Sequence, residues 1–211
     1  MKITALISTV MNSKPLLWLV LALPAWPYLY DFIKPDLYYG EMMYETGLFA
    51  TQLFVFTLCI TPVSKLLKRF KKGRNINRWL IARRRNFGVA SFAYALIHTI
   101  IYLREIADLD LLLFELTLIE IAFGWIAILF MLPIAFTSND VSMRMLGKNW
   151  KTIQRGVYLL AIATFVHWLS FGFFLEWGIL LMQLLIVAKI IQLAFYFLKN
   201  KTIFPFISKK I

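Results

Sequence analysis

The stretch from Arg83 to Arg104, RRRNFGVASFAYALIHTIIYLR, decides the fold. Three arginines precede a run, Asn86 to Leu103, that carries no formal charge, and a single arginine closes it. A helix rises 1.5 Å per residue, so about 20 apolar residues cross a hydrocarbon layer roughly 30 Å thick. Working outward from this run, five further apolar segments of similar kind can be drawn: Pro15 to Tyr30, Gly47 to Leu67, Leu111 to Phe136, Ile153 to Leu175 and Trp177 to Leu198. The apolar fraction of the 211-residue chain is 61%, above the usual range for soluble domains. An outer-membrane barrel would alternate apolar and polar residues in runs of about ten, and Leu175 to Leu198 does not alternate. The expected fold is therefore an all-α integral membrane bundle of six transmembrane helices forming one domain over residues 1–211.

Charge sets the topology. The net formal charge is +12, a value that would suit nucleic acid if the cations shared one surface. They are instead sorted by loop: two Lys precede span one, ten Lys and Arg lie between spans two and three, four between spans four and five, and four after span six. Lys34 and Arg104 are alone on the opposite side, and Lys189 lies inside span six. The positive-inside rule then puts both termini, and the loops around Lys65 to Arg85 and Thr137 to Arg155, in the cytoplasm. Acidic residues agree, all but Asp140 falling on or towards the outer side. The basic loop Arg69-Phe70-Lys71-Lys72-Gly73-Arg74 reads as a juxtamembrane segment that meets anionic lipid, so no nucleic-acid partner is expected. Span one, after Lys14, partly imitates a secretory signal with its Ala22-Leu23-Pro24-Ala25; the charge count favours its retention.

Cys59 is the only cysteine, which excludes an internal disulfide, a paired-cysteine haem attachment and any cysteine-based zinc or iron-sulfur centre. No Gly-rich nucleotide fingerprint is present. The chemistry falls to two histidines, His98 in span three and His167 in span five. His98 lies 13 residues after Arg85 and His167 lies 12 after Arg155, so both imidazoles sit roughly 18 to 20 Å from the inner edge, in the outer half of the bilayer. Level imidazoles on two helices fit the axial positions of a haem and add no buried charge. They equally fit helix-to-helix hydrogen bonding, the ordinary role of a polar side chain in a span. Gly88, Ala90, Ser91, Ala93 and Ala95, with Gly156, Ala161 and Ala163, either leave room for a macrocycle or bring helices close.

The chain also carries Thr46-Gly47, Ile60-Thr61-Pro62, Arg83-Arg84-Arg85 before Gly88, Tyr94-Ala95 with His98, and Pro133-Ile134-Ala135-Phe136-Thr137-Ser138. Its most specific stretch is Leu146-Gly147-Lys148-Asn149-Trp150, leading to Gln154-Arg155, Val157-Tyr158-Leu159 and His167. Over about residues 46–170 this resembles the MsrQ (YedZ) family, the membrane haem subunits of the bacterial periplasmic methionine-sulfoxide reductase system, within the ferric-reductase-like membrane group. The resemblance implies one haem b between spans three and five, with His98 and His167 matching the family's axial ligands to the haem iron. It implies a non-catalytic electron-transfer subunit of the bacterial inner membrane. Electrons would come from the quinone pool, with flavin mononucleotide (FMN) as a candidate second cofactor, and pass to a periplasmic molybdopterin reductase that repairs oxidised methionine.

Two departures bear on this. Gln154 stands where the family has a further histidine, and the Arg-Pro-Tyr found before span four is not recognisable around Leu116 to Ala122. An amide is a poor iron ligand, so a single haem is expected. Arg85, Gln154 and Arg155 are then candidates for the vicinity of a quinone or flavin near the inner surface, or for lipid anchoring. Glu120 and Lys189 are the in-span charges; either can relay a proton, or Lys189 can snorkel. Two other readings stay open: a stand-alone ferric or quinone reductase, and a haem-free transporter or scaffold whose histidines are structural.

Overall fold

A computed structural model describes residues 13–32, 39–69, 73–172 and 175–201. Among these residues the chain is helical, with no strand. The helices are α1 (Lys14–Ala22), α2 (Ala25–Asp31), α3 (Tyr39–Arg69), α4 (Arg74–Ile106), α5 (Leu109–Glu115), α6 (Ile119–Phe136), α7 (Asp140–Leu146), α8 (Lys148–Arg155), α9 (Val157–Ser170) and α10 (Leu175–Lys201). Lys2, Lys34, Lys71, Lys72 and the cations after Lys201, all counted in the charge argument, lie outside the described residues.

Three helices are long and apolar enough to cross a membrane, within Tyr39–Lys68, Arg74–Ile106 and Ile119–Phe136, and Ile179–Ala194 is a shorter apolar helix. Local chemistry explains where the other expected spans are interrupted. Span one divides because Pro24 has no N–H to continue α1 and stands instead at the position just before α2. The span expected from Leu111 to Phe136 divides because Asp108 caps a separate short helix, accepting from the N–H of Asp110 at 2.8 Å and of Leu111 at 3.2 Å. Thr117 then ends that helix, its hydroxyl donating to Phe114 O at 2.7 Å. The span expected from Ile153 breaks at Gly156, where a Cβ would approach Ile153 O to 3.0 Å, and α9 resumes for 14 residues.

Packing is organised by two antiparallel pairs. One is α3 with α4, joined through Gly73 at φ +61°, a left-handed turn that glycine adopts without strain. The other is α6 with α9. Phe54, Val55 and Leu58 of α3 meet Phe92 of α4, Ile128 and Met131 of α6, Leu160 and Phe165 of α9, and Leu181 and Leu185 of α10 in one core. A second core sets Leu21 and Ala25 against Ala50, Leu53, Phe87 and Tyr94, so the α1–α2 segment covers the other side of the first pair. Outside these cores the bundle exposes Leu129 and Phe130 on α6, Ile162 on α9, and Val187, Ile190 and Leu193 on α10. Apolar surface of that extent suits acyl chains rather than water.

Polar side chains tie the pairs together. Ser91 Oγ donates to Ala50 O at 2.8 Å, and the Trp168 indole N–H donates to Thr51 Oγ1 at 2.8 Å, linking α9 to α3. Tyr94 OH donates to Leu21 O at 2.8 Å, at the last turn of α1. Leu21 O has no later helical N–H to receive, so this bond satisfies an orphaned carbonyl. Tyr94→Phe is expected to lower stability in detergent by about 1 kcal/mol, measured by chemical denaturation, because Leu21 O is left buried without that donor.

Candidate functional site

His98 on α4 and His167 on α9 come together at the centre of the two pairs, their ring centres 6.2 Å apart and their planes at 85°. Neither imidazole hydrogen-bonds the other pair. His98 Nδ1 donates to the main-chain oxygen of Met43 on α3 at 2.8 Å. His167 Nδ1 donates to the main-chain oxygen of Glu120 on α6 at 2.6 Å. A carbonyl only accepts, so each Nδ1 carries the proton and each Nε2 keeps its lone pair. In the neutral form of each ring, Nε2 is the nitrogen left free to bind a metal. Each ring does make the helix-to-helix hydrogen bond expected of a polar side chain in a span, and makes it through Nδ1.

The donor set narrows what can sit there. Two imidazoles bound on opposite sides of one metal, at about 2.0 Å per bond, have ring centres roughly 6 Å apart, close to the observed separation. Among the described residues no cluster of three His, Cys, Asp or Glu could hold a metal ion on its own. A pair of this kind fits a metal whose other ligands come from a macrocycle. Phe171 packs edge-on against His167 with ring centres 5.2 Å apart, and Tyr44 meets Trp168, the residue after His167, at 6.0 Å. The small residues of α4 do other work. Ser91 and Ala90 are buried against α3, and a Cβ on Gly88 would meet Thr57 at 3.5 Å, so this face brings the helices close.

The remaining candidates lie apart from the histidines. Arg85 pairs with Asp140 at 2.6 Å, bridging α4 to the start of α7. Gln154 Nε2 donates to Ile134 O and to Thr137 Oγ1, both at 3.1 Å, and so caps the end of α6. Arg155 lines an open hollow of about 470 Å³ with Gly147, Lys148, Lys151 and Thr152. Lys189 Nζ sits 4.8 Å from the centre of the Tyr158 ring, a cation–π contact on the exposed side of the bundle. Glu120 enters the site through its main chain, as the acceptor for His167. Reading the residues alone did not single out the backbone oxygens of Met43 and Glu120, or Gly124. The available signal was a glycine one turn after each carbonyl, Gly47 after Met43 and Gly124 after Glu120.

The family described as ferric reductase like transmembrane component matches residues 46–165. Three curated relatives carry the name protein-methionine-sulfoxide reductase heme-binding subunit MsrQ. That of Azospira oryzae is 32% identical over 163 residues, covering 74% of this chain and 66% of its own. That of Cronobacter sakazakii is 31% identical over 159 residues, covering 74% and 72%. The Pectobacterium atrosepticum protein is 33% identical over 159 residues, covering 74% and 73%. The chain thus spans about two thirds of the Azospira protein's length. No solved structure matches the chain.

The hydrogen bond from Arg85, and then its charge, hold the Asp140 carboxyl below the ordinary carboxylate value. A depressed folded-state pKa means the contribution is present above the unfolded value, near 3.9, and is lost as pH falls through the folded one. Thermal melts from neutral pH down into that acidic range are therefore expected to fall more steeply for the wild type than for Asp140→Asn.

Proposed function

This chain belongs to the ferric-reductase-like transmembrane family, among its MsrQ haem-binding subunits, and on that premise we propose that it is a membrane electron-transfer subunit carrying one haem b. His98 and His167 are the axial ligands. The observation that carries this is the pair of imidazoles 6.2 Å apart, each held through Nδ1 by a main-chain oxygen of a different helix. The haem, when bound, supplies a one-electron carrier that cycles between ferric and ferrous iron. The rest of the work belongs to the chain. Neutral ligands add no charge to the bilayer interior, and Phe171 packs edge-on against the His167 ring.

The proposed topology is six spans in the bacterial inner membrane with both termini cytoplasmic, supported by the sorting of cations between loops. His98 and His167 then lie in the outer half of the membrane, far from any cytosolic donor. A quinol diffusing in the bilayer reaches them from the side, so the quinone pool is the donor; a flavin mononucleotide near Arg85, Gln154 and Arg155 is the candidate second cofactor. The acceptor is a periplasmic molybdopterin reductase that repairs methionine sulfoxide in envelope proteins. It docks on outer loops that include Asp108, Asp110 and Glu115.

Purified protein is expected to show a reduced-minus-oxidised b-type spectrum with one haem per chain, abolished in both His98→Ala and His167→Ala. A folded wild-type protein without haem would sink the assignment and leave the transporter or scaffold. Electron transfer to the partner is expected to slow as ionic strength rises, since acidic loops facing a basic patch are screened beyond about 10 Å at 0.1 M salt. A rate indifferent to salt would remove the acidic docking face.

A further inference from the structure

Each histidine rests in a notch of the same construction. On α3, Gly47 lies one turn after Met43, whose oxygen takes the His98 Nδ1 proton. On α6, Gly124 lies one turn after Glu120, whose oxygen takes that of His167. A Cβ built on Gly47 would stand 3.0 Å from His98 Nδ1 and 3.1 Å from its Cε1. One on Gly124 would stand 2.8 Å from His167 Nδ1 and 2.9 Å from its Cε1. These separations are shorter than carbon ordinarily tolerates against a ring, and each clash falls on the edge of imidazole that carries the hydrogen bond.

The geometry points to Gly47 and Gly124 as the positioning residues of the site: paired notches that let each ring reach a carbonyl on the neighbouring helix and so fix the direction and basicity of its Nε2. This rests on the haem reading above and adds to it. An imidazole whose N–H donates to a carbonyl is a stronger electron donor through its other nitrogen, which favours ferric over ferrous iron. A methyl group in either notch would push the ring away and lengthen or break that bond. The ligand would then be both misaligned and less basic. Both pairs carry the device in matching form, α3 serving α4 and α6 serving α9, so either notch can be tested separately.

Gly88 provides the control. It is a glycine of α4 in the interior of the first pair, and its added Cβ would meet only Thr57 Cγ2 at 3.5 Å, an ordinary contact. Gly47→Ala, Gly124→Ala and Gly88→Ala would be compared with wild type by haemin titration of the haem-depleted protein, by redox titration of whatever haem each retains, and by thermal melting. The first two variants are expected to lose roughly tenfold or more in haem affinity, the range typical of partners that orient metal ligands. Any haem they retain is expected at a higher reduction potential, whereas Gly88→Ala should match wild type on both readings. Wild-type affinity and potential in Gly47→Ala and Gly124→Ala would overturn the assignment.

A melting cycle covers the case in which a notch variant folds poorly. Adding Gly47→Ala to His98→Ala removes the ring that the methyl group would meet, so the double variant should melt like His98→Ala alone. If Gly47→Ala costs as much in that background as in wild type, the notch is not there for the histidine. Since the cycle requires no haem, failure of the haem reading and failure of the notch give different patterns. Haem lost on removing either histidine but indifferent to both glycines would leave the former standing alone.

Discussion

A buried imidazole has two nitrogens to satisfy, and in a hydrocarbon surrounding no water is at hand for either. In this protein one nitrogen of each ring is satisfied by a main-chain oxygen of a facing helix, Met43 for His98 and Glu120 for His167. Much of the architecture depends on that constraint. It requires α3 to lie close along α4, and α6 along α9, with the donor and acceptor at one height. The bonds from Ser91 to Ala50 and from Trp168 to Thr51 then hold the pairs in that relation. What remains uncommitted at the centre is one lone pair on each ring.

Much of this was legible in the sequence because depth in a membrane is a count along a helix. The intervals from Arg85 to His98 and from Arg155 to His167 predicted level histidines, and the rings do meet. That prediction survived the break at Gly156 because α9 resumes at once and the rise is nearly preserved. Asp108 and Pro24 are local signals of helix interruption, yet a reading by hydropathy overrides both, since the residues around them remain apolar. The repeated plan of the two pairs had no counterpart in the letters. It consists of a backbone oxygen, a missing side chain and a ring on another helix, and of these only the histidine is conspicuous as a residue.

The polar candidates near the inner surface illustrate the opposite case. Arg85 and Gln154 stood out for their types and their place near the inner surface, and the structure shows each with a local partner, Asp140 for one and the end of α6 for the other. An amide that could ligate nothing well proves suited to closing a helix, because it reaches the last carbonyl groups that the helix leaves without donors. Lys189 similarly settles over an aromatic face, that of Tyr158. Side-chain type narrows the chemistry a residue can perform; the neighbour that uses it comes from packing.

The early end of α9 bears on the proposed electron transfer. His167 is three residues before Ser170, where the helix ends, so its ring lies within about 5 Å of that terminus along the axis. Because α8 leads into α9 with the rise nearly preserved, the helical path is short only at the end beyond His167. Electron tunnelling decays steeply with distance, so each ångström removed from the exit side counts more than one added within the bundle. A protein partner settling over that end would have only a thin insulating layer to cross.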